Sequence, residues 1–365
     1  MAARAAISRP MASQAQSGAP APARTSARPG AISRWLFAVA ALVFLMVVVG
    51  GITRLTESGL SMVRWEPISG AVPPMSDAAW QAEFDAYRAT PEYQKINRGM
   101  SLGEFKQIFF WEYVHRLLGR LIGLAFALPL AWFAWKRAIP RGYGWKLVGL
   151  LALGGLQGAV GWWMVASGLI DRPEVSHIRL AVHLLLALFI FALLIWTALD
   201  LANLSRKPNS RSASISVLAI WTLSALGLQL MFGAYVAGLD AGYAFNSWPK
   251  MGDEWFPAGT PMLEPFIVNL ADNPIVVQFV HRWLAFLVAG LAVWLALKAW
   301  SRGLQAQAAA LVAAVTLQIL LGIATLLTGV ELWIGVAHQA MAALLLAATV
   351  ATAHSLGAQA KGLRA

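Results

Sequence analysis

Residues 111–135 read WEYVHRLLGRLIGLAFALPLAWFAW, and residues 276–300 read VVQFVHRWLAFLVAGLAVWLALKAW. Each is an apolar run with its ionisable residues gathered near the ends. At about 1.5 Å per residue, such a run crosses the ~30 Å hydrocarbon layer of a bilayer as a helix. Neither run alternates polar with apolar residues, so neither reads as a strand of a membrane barrel. Working outward, similar runs recur, and spans are placed at 35–53, 111–135, 145–166, 177–199, 215–238, 276–299, 307–329 and 333–354. The expected fold is all-α: a polytopic membrane protein of eight transmembrane helices, arranged as two tandem four-helix bundles related by pseudo-two-fold symmetry.

Composition agrees. Of 365 residues, 59% are hydrophobic and 12% charged, whereas soluble domains carry about a quarter charged residues. There is no cysteine, which removes disulfides, thiolate metal sites and thioether-linked haem from consideration. The net charge of +11 is read as basic loops on one membrane side, with no nucleic-acid partner implied.

The basic residues fall on alternate connections. Lys136, Arg137, Arg141 and Lys146 follow span two; Arg206, Lys207 and Arg211 follow span four; Lys298 and Arg302 follow span six; Lys361 and Arg364 end the chain. The loop at 239–275 has Asp240, Asp253, Glu254, Glu264 and Asp272 against Lys250 alone. By the positive-inside rule both termini are cytoplasmic, and the long loops at 54–110 and 239–275 face outward. The expected location is a bacterial inner membrane, with the mitochondrial one as the lesser alternative. The first loop has helical periodicity around 76–88 and 101–110, and the second reads as an interfacial cap. Residues 1–33, with Arg4, Arg9, Arg24 and Arg28 and no acid, read as a disordered basic tail. The tail resembles a transit peptide in composition.

The chain also repeats. Glu112-Tyr113-Val114-His115-Arg116 matches Gln278-Phe279-Val280-His281-Arg282. Gly59 to Trp65, followed by Pro67, matches Gly242 to Trp248, followed by Pro249. Leu156-Gln157 matches Leu317-Gln318, and His183 matches His338. The expected division is a tail at 1–33, one half at 34–205, a second at 206–356, and a tail at 357–365. Both halves have the same orientation, so the repeat axis runs along the membrane normal.

His115, His183, His281 and His338 each lie early in an even-numbered span, toward the outer face. From His183 to Asp200 and from His281 to Lys298 is 17 residues, or about 26 Å of helix. A lone intramembrane histidine serves as readily for an interhelical hydrogen bond. Four at one depth, two per repeat, point to axial ligation of haem iron by facing imidazoles. The expected pairs are His115 with His183 and His281 with His338. Zinc is the weaker alternative, because structural zinc gathers four ligands in one cluster. His177 reads as interfacial, and His354 as a solvated terminus.

Arg116 and Arg282 follow ligand histidines and suit haem propionates; the alternative is snorkelling to lipid phosphate. Trp65 and Trp248 are either interfacial belt residues or caps on the haem pockets. Glu112 shares a helix face with His115, where the second half has the uncharged Gln278. A carboxylate beside a haem can stabilise positive charge or move a proton. The first half is therefore expected to do chemistry and the second to carry electrons, against the alternative of a Glu resting at the membrane boundary. Glu57 reads as a solvated loop carboxylate.

At these residues the chain resembles the haem A synthase family. The matching strings are TRLTESGLSMVRW at 53–65, NRGMSLGEFKQIFFWEYVHR at 97–116, LQGAVGWWMVASGL at 156–169 and FVHR at 279–282. The resemblance covers residues 35 to 354 and implies oxidation of the C8 methyl of haem O to the formyl group of haem A. It further implies haem O on His115 and His183, a b-type haem on His281 and His338, and Glu112 as the catalytic carboxylate. Some members carry a cysteine pair in the outer loops, which this chain lacks. Expected partners are haem O and haem A, the bilayer, a haem O synthase, an electron acceptor and a second copy of the chain. Two rival readings are a dihaem b-type electron-transfer cytochrome, which leaves the Glu112/Gln278 difference unexplained, and a transporter on a 4+4 repeat.

Overall fold

The computed structural model describes residues 27–65, 69–170, 172–208 and 210–362. Among the described residues, eight helices are long and apolar enough to cross a membrane: α1 Pro29–Leu55, α2 Leu102–Trp135, α3 Gly144–Ala166, α4 His177–Arg206, α5 Val217–Gly238, α6 Pro274–Trp300, α7 Gln305–Leu327 and α8 Leu332–Gly362. No strand occurs among the described residues. The chain is a multi-pass α-helical membrane protein.

Within the first half, α1 packs on α2 and α4, and α3 on α2 and α4. The second half follows the same order, with α5 on α6 and α8, and α7 on α6 and α8. The halves meet where α1 touches α8, α4 touches α5, and α4 touches α8. One apolar core runs through both, from Leu36 and Val43 on α1 and Leu194 and Leu201 on α4 to Leu295 on α6, Leu311 on α7 and Leu346 on α8. Its buried hydroxyl groups are satisfied locally, as a low-dielectric interior demands. Thr53, Thr222 and Thr349 donate to the carbonyls of Val49, Leu218 and Leu345. Ser33 Oγ donates to Ala198 O at 2.7 Å and Trp35 Nε1 to Ala125 O at 2.8 Å, tying α1 to α4 and α2.

Helix ends differ from expectation at four places, one being α4, which runs to Arg206 where 199 was expected. α1 begins at Pro29, inside the segment expected to be a tail through residue 33; Pro fits the first turn, where no amide partner is needed. The expected tail residues 1–26, with Arg4, Arg9 and Arg24, and residues 363–365, with Arg364, lie outside the described residues, as does Pro67. α2 starts at Leu102 because Ser101 and Glu104 form a capping box, so the helix expected at 101–110 is its first turns. α8 runs on to Gly362. His354 is therefore not a solvated terminus: it is 2% exposed and bonds Asp200 Oδ1 at 2.9 Å.

The loop after α1 contains the expected helix, Asp77–Arg88, capped by Ser76, and a short one at Pro91–Lys95. Phe84, Tyr87, Phe105 and Phe109 give this side its own aromatic core. The loop before α6 is held by Asn269 and Asn273, which bond the carbonyls of Leu263, Phe266 and Pro261. At the opposite end, exposed Trp132 and Trp135 flank Lys136, whose Nζ lies 4.8 and 4.4 Å from the two rings. This aromatic–basic belt suits a membrane–water boundary.

Candidate functional site: two pairs of histidines

His115 on α2, His183 on α4, His281 on α6 and His338 on α8 all lie in the part of their helices nearest the long loops. His115 is within electrostatic reach of His183, and His281 of His338. All four side chains are partly accessible, so none is sealed into the apolar core.

The helix facing each ring carries a glycine. A Cβ at Gly161 would stand 2.9 Å from His183 Cε1, and one at Gly322 would stand 2.9 Å from His338 Cε1. A Cβ at Gly233 would stand 3.1 Å from His281 Cε1, and one at Gly50 would stand 3.5 Å from His115 Nε2. Four residues before three of these glycines is a glutamine. Gln157 Nε2 lies 3.1 Å from His183 Nδ1, Gln229 Nε2 lies 3.1 Å from His281 Nδ1, and Gln318 Nε2 lies 3.2 Å from His338 Nδ1. The fourth position, before Gly50, is Met46. Glutamine and glycine four apart share a helix face, so the spacing is visible in the sequence once it is sought; only the Gln157/Gln318 match was read there.

The three glutamines each leave Oε1 buried without a hydrogen-bond partner among the described residues. That orphan bears on whether haem fits. An imidazole that binds iron through Nε2 carries its proton on Nδ1 and donates it to a neighbouring acceptor. Turning the amide over presents Oε1 to that proton, so the residues present fit haem ligation. They do not fit a clustered zinc site: among the described residues, no three His, Asp or Glu side chains come together as a metal-binding group.

Glu112 is 2% exposed. Its Oε2 accepts from Ser61 Oγ at 2.6 Å and from the Met62 amide at 2.8 Å, and its Oε1 accepts from Arg116. Gln278, 1% exposed, donates instead to Phe245 O at 2.9 Å. The replacement thus exchanges an acceptor pulling on a loop amide for a donor gripping a loop carbonyl. Sequence reasoning missed Ser61 and Met62 because the contact is made across 50 residues of chain.

The arginines behave alike. Arg116 donates to Met62 O at 2.7 Å and Arg64 O at 3.0 Å, besides Glu112. Arg282 donates to Phe245 O, Ser247 O and Lys250 O at 2.8 to 3.1 Å. Their terminal nitrogens therefore hold the loops that lead into Trp65 and Trp248, where propionate contacts were expected; Arg282 Nε remains buried without a partner among the described residues. Trp65, half-exposed, packs on Trp162 at 4.9 Å, beside Gly161. Trp248 stacks on Phe286 at 6.3 Å. His177 is 6% exposed, its Nε2 3.0 Å from Asp272 Oδ1, where α4 meets the loop before α6. Glu57 is exposed, as expected, in a left-handed backbone conformation at φ 51°.

Eight apolar helices with two pairs of histidines near one end define a class: a membrane-embedded helical protein suited to holding planar metal macrocycles. Residues 33–350 match the cytochrome oxidase assembly protein family. The chain is 57% identical over 337 residues to a haem A synthase of Rhizorhabdus wittichii, covering 92% of this chain and 96% of that one. It is 51% identical over 338 residues to a haem A synthase of Sphingopyxis alaskensis, covering 93% and 95%. It is 50% identical over 353 residues to one of Novosphingobium aromaticivorans, covering 94% and 99%. The chain belongs to the haem A synthase family, membrane oxidoreductases of haem A biosynthesis.

Proposed function

We propose that the first half binds haem O between His115 and His183 and oxidises its C8 methyl to the formyl group of haem A. Two successive hydroxylations give a geminal diol, and loss of water gives the aldehyde. With water as the oxygen donor, each hydroxylation releases two protons and two electrons. Glu112 holds its carboxylate three residues from His115, poised by Ser61, Met62 and Arg116, to stabilise a cationic carbon or take a proton from the attacking water. The second half holds a b-type haem between His281 and His338. That group supplies one-electron redox capacity when bound, and the electrons leave to an external acceptor.

The observation that carries this division of labour is the double difference between the halves. Glu112 stands where the second half has Gln278, and Met46 stands where it has Gln229. A glutamine on the far ring nitrogen orients an imidazole and strengthens it as a ligand. His115 lacks one, so its half suits a porphyrin that must come and go. Trp65 on Trp162 and Trp248 on Phe286 cap the two pockets. Arg116 and Arg282 fix the capping loops, and Arg282 Nε is left for a propionate.

The positive-inside pattern supports a bacterial inner membrane with both termini cytoplasmic and the haem pairs near the outer face. Partners are a haem O synthase that hands over substrate, the electron acceptor and a second copy of the chain. The test is expression with a haem O supply and chromatography of the extracted haems. Glu112→Gln is expected to retain haem yet accumulate haem O or its alcohol. Normal haem A yield in that variant would reject the role, and haem B alone in the wild type would favour a dihaem electron-transfer cytochrome.

A further inference from the structure

Two adjacent glycines on α1 face the two sites in turn. A Cβ at Gly50 would stand 3.5 Å from His115 Nε2, in the first pair. One at Gly51 would stand 3.1 to 3.2 Å from the amide of Gln339, the residue after His338 in the second pair. Gln339 Nε2 donates to Val47 O at 2.8 Å. That carbonyl lies four residues before Gly51, whose amide it serves within the helix; with no side chain at Gly51, it stays open to a second donor. One turn along the same contact, a Cβ at Gly335 would stand 2.9 Å from Leu55 Cδ1. α1 and α8 thus approach closely here, as small residues allow inside a bilayer.

The repeat-related contact, α4 against α5, has apolar residues at these positions. Leu184 follows His183 where Gln339 follows His338, and Ala234 follows Gly233 where Gly51 follows Gly50. One turn along, large and small change places: a Cβ at Gly238 would stand 3.2 Å from Leu180 Cδ2. The two contacts share a register, and a leucine serves at it in α4. A glutamine amide inside a bilayer is costly unless hydrogen-bonded, and an intramembrane polar residue points first to function. Gln339 adjoins a ligand histidine of one site, and the helix turn it grips rests against a ligand histidine of the other.

We propose that Gln339 is a positioning residue for electron passage between the halves. By holding the His338 turn of α8 on the Gly50-Gly51 turn of α1, it fixes the separation of the two haem sites. The link runs from His338 along one peptide to Gln339, across the 2.8 Å hydrogen bond to Val47 O, and through one helical turn to Gly50 and the His115 ring. Electron tunnelling falls exponentially with distance, so a wall of two glycines and a locked helix contact favour it. The step moves one electron and makes or breaks no bond: the porphyrin of the first pair is oxidised by one electron, and that of the second pair is reduced by one. This rests on the proposed function, in which the first half releases electrons and the second carries them to the external acceptor.

The test is flash photoreduction of the purified full chain carrying haem A in the first half and haem B in the second, whose absorptions differ because the formyl group conjugates with the ring. A ruthenium photoreductant on a single Ala82→Cys, at an exposed position of the first loop, injects one electron. Its exchange between the two haems is followed in absorbance, with haem content and Tm recorded alongside. Wild type should show a fast exchange phase. Gln339→Leu, which places in α8 the residue that α4 carries at this register, should slow that phase severalfold with both haems retained. An unchanged phase overturns the proposal, and a lowered Tm beside it would make Gln339 interhelical glue alone. If Gln339→Leu loses a haem, Gly51→Ala decides. Its Cβ presses on the Gln339 amide, so exchange should slow with both haems in place; any other outcome there overturns the bridge. A wild type that holds both haems without exchanging electrons removes the bridge and leaves the haem sites standing. A wild type that cannot hold the two haems removes the proposed function itself, and the bridge with it.

Discussion

Met46 and Gln229 occupy corresponding places, each four residues before a glycine that faces a histidine ring. The thioether of Met46 is a weak acceptor, whereas the amide of Gln229 reaches His281 Nδ1 at 3.1 Å. Met46→Gln is expected to slow release of haem from the first half about tenfold, measured as transfer to an acceptor apoprotein; an unchanged release rate would count against a labile His115. Gly322 makes the complementary point. Any side chain there meets His338 Cε1 at 2.9 Å, closer than real contacts allow. Gly322→Val should displace the ring and lower haem content in the second half, read from the absorption spectrum, while Gly149→Val, facing open space, should not. At this scale the histidines and Glu112 were legible because ionisable residues stand out within apolar runs. Gln229 was not, since a polar residue without a repeat partner gives no signal until its neighbour across the helix interface is known.

Helix ends set which polar groups are buried. Hydropathy fades after residue 354 and so suggests a solvated His354, while α8 continues to Gly362 through small and polar residues. The continuation brings His354 against Asp200 on α4, with Trp196 edge-on at 5.1 Å, and so joins the two halves at the end away from the long loops. Removing the ring leaves a buried carboxylate short of a partner. His354→Ala should cost about 2–3 kcal/mol, seen as a lower Tm in detergent, whereas Asp200→Asn paired with it should recover part of the loss. No change in Tm would mean that the contact carries no weight. α2 was cut short for the same reason at its other end. Lys106 and Glu104 lower its hydropathy, yet the capping box at Ser101 starts the helix well above the apolar run and lets it carry the aromatic core of the first loop.

The number and rough limits of the spans followed from apolar run length alone, a property of the bilayer as solvent more than of packing. How the halves join, through α1, α4, α5 and α8, did not, because apolar faces touching protein and apolar faces touching lipid have the same composition. The helices of the second half pack in the same order as those of the first, α5 on α6 and α7 on α6 and α8, around one continuous apolar core. Orientation has a direct check, since a chain without cysteine accepts single reporters cleanly. Ala82→Cys on the first long loop should react with a membrane-impermeant maleimide added outside intact cells, and Ala306→Cys at the start of α7 should react only after lysis; the reverse pattern would invert the topology.

Each half is proposed to grip one porphyrin iron through its own two imidazoles. The most direct measurement is the low-spin haem spectrum of the purified chain, reconstituted with haem and compared with His115→Ala and His281→Ala. Two bis-histidine haems per chain are expected, with each variant losing the signal of its own half and keeping the other. A wild type that binds no haem, or a His281→Ala variant that keeps both signals, would contradict it.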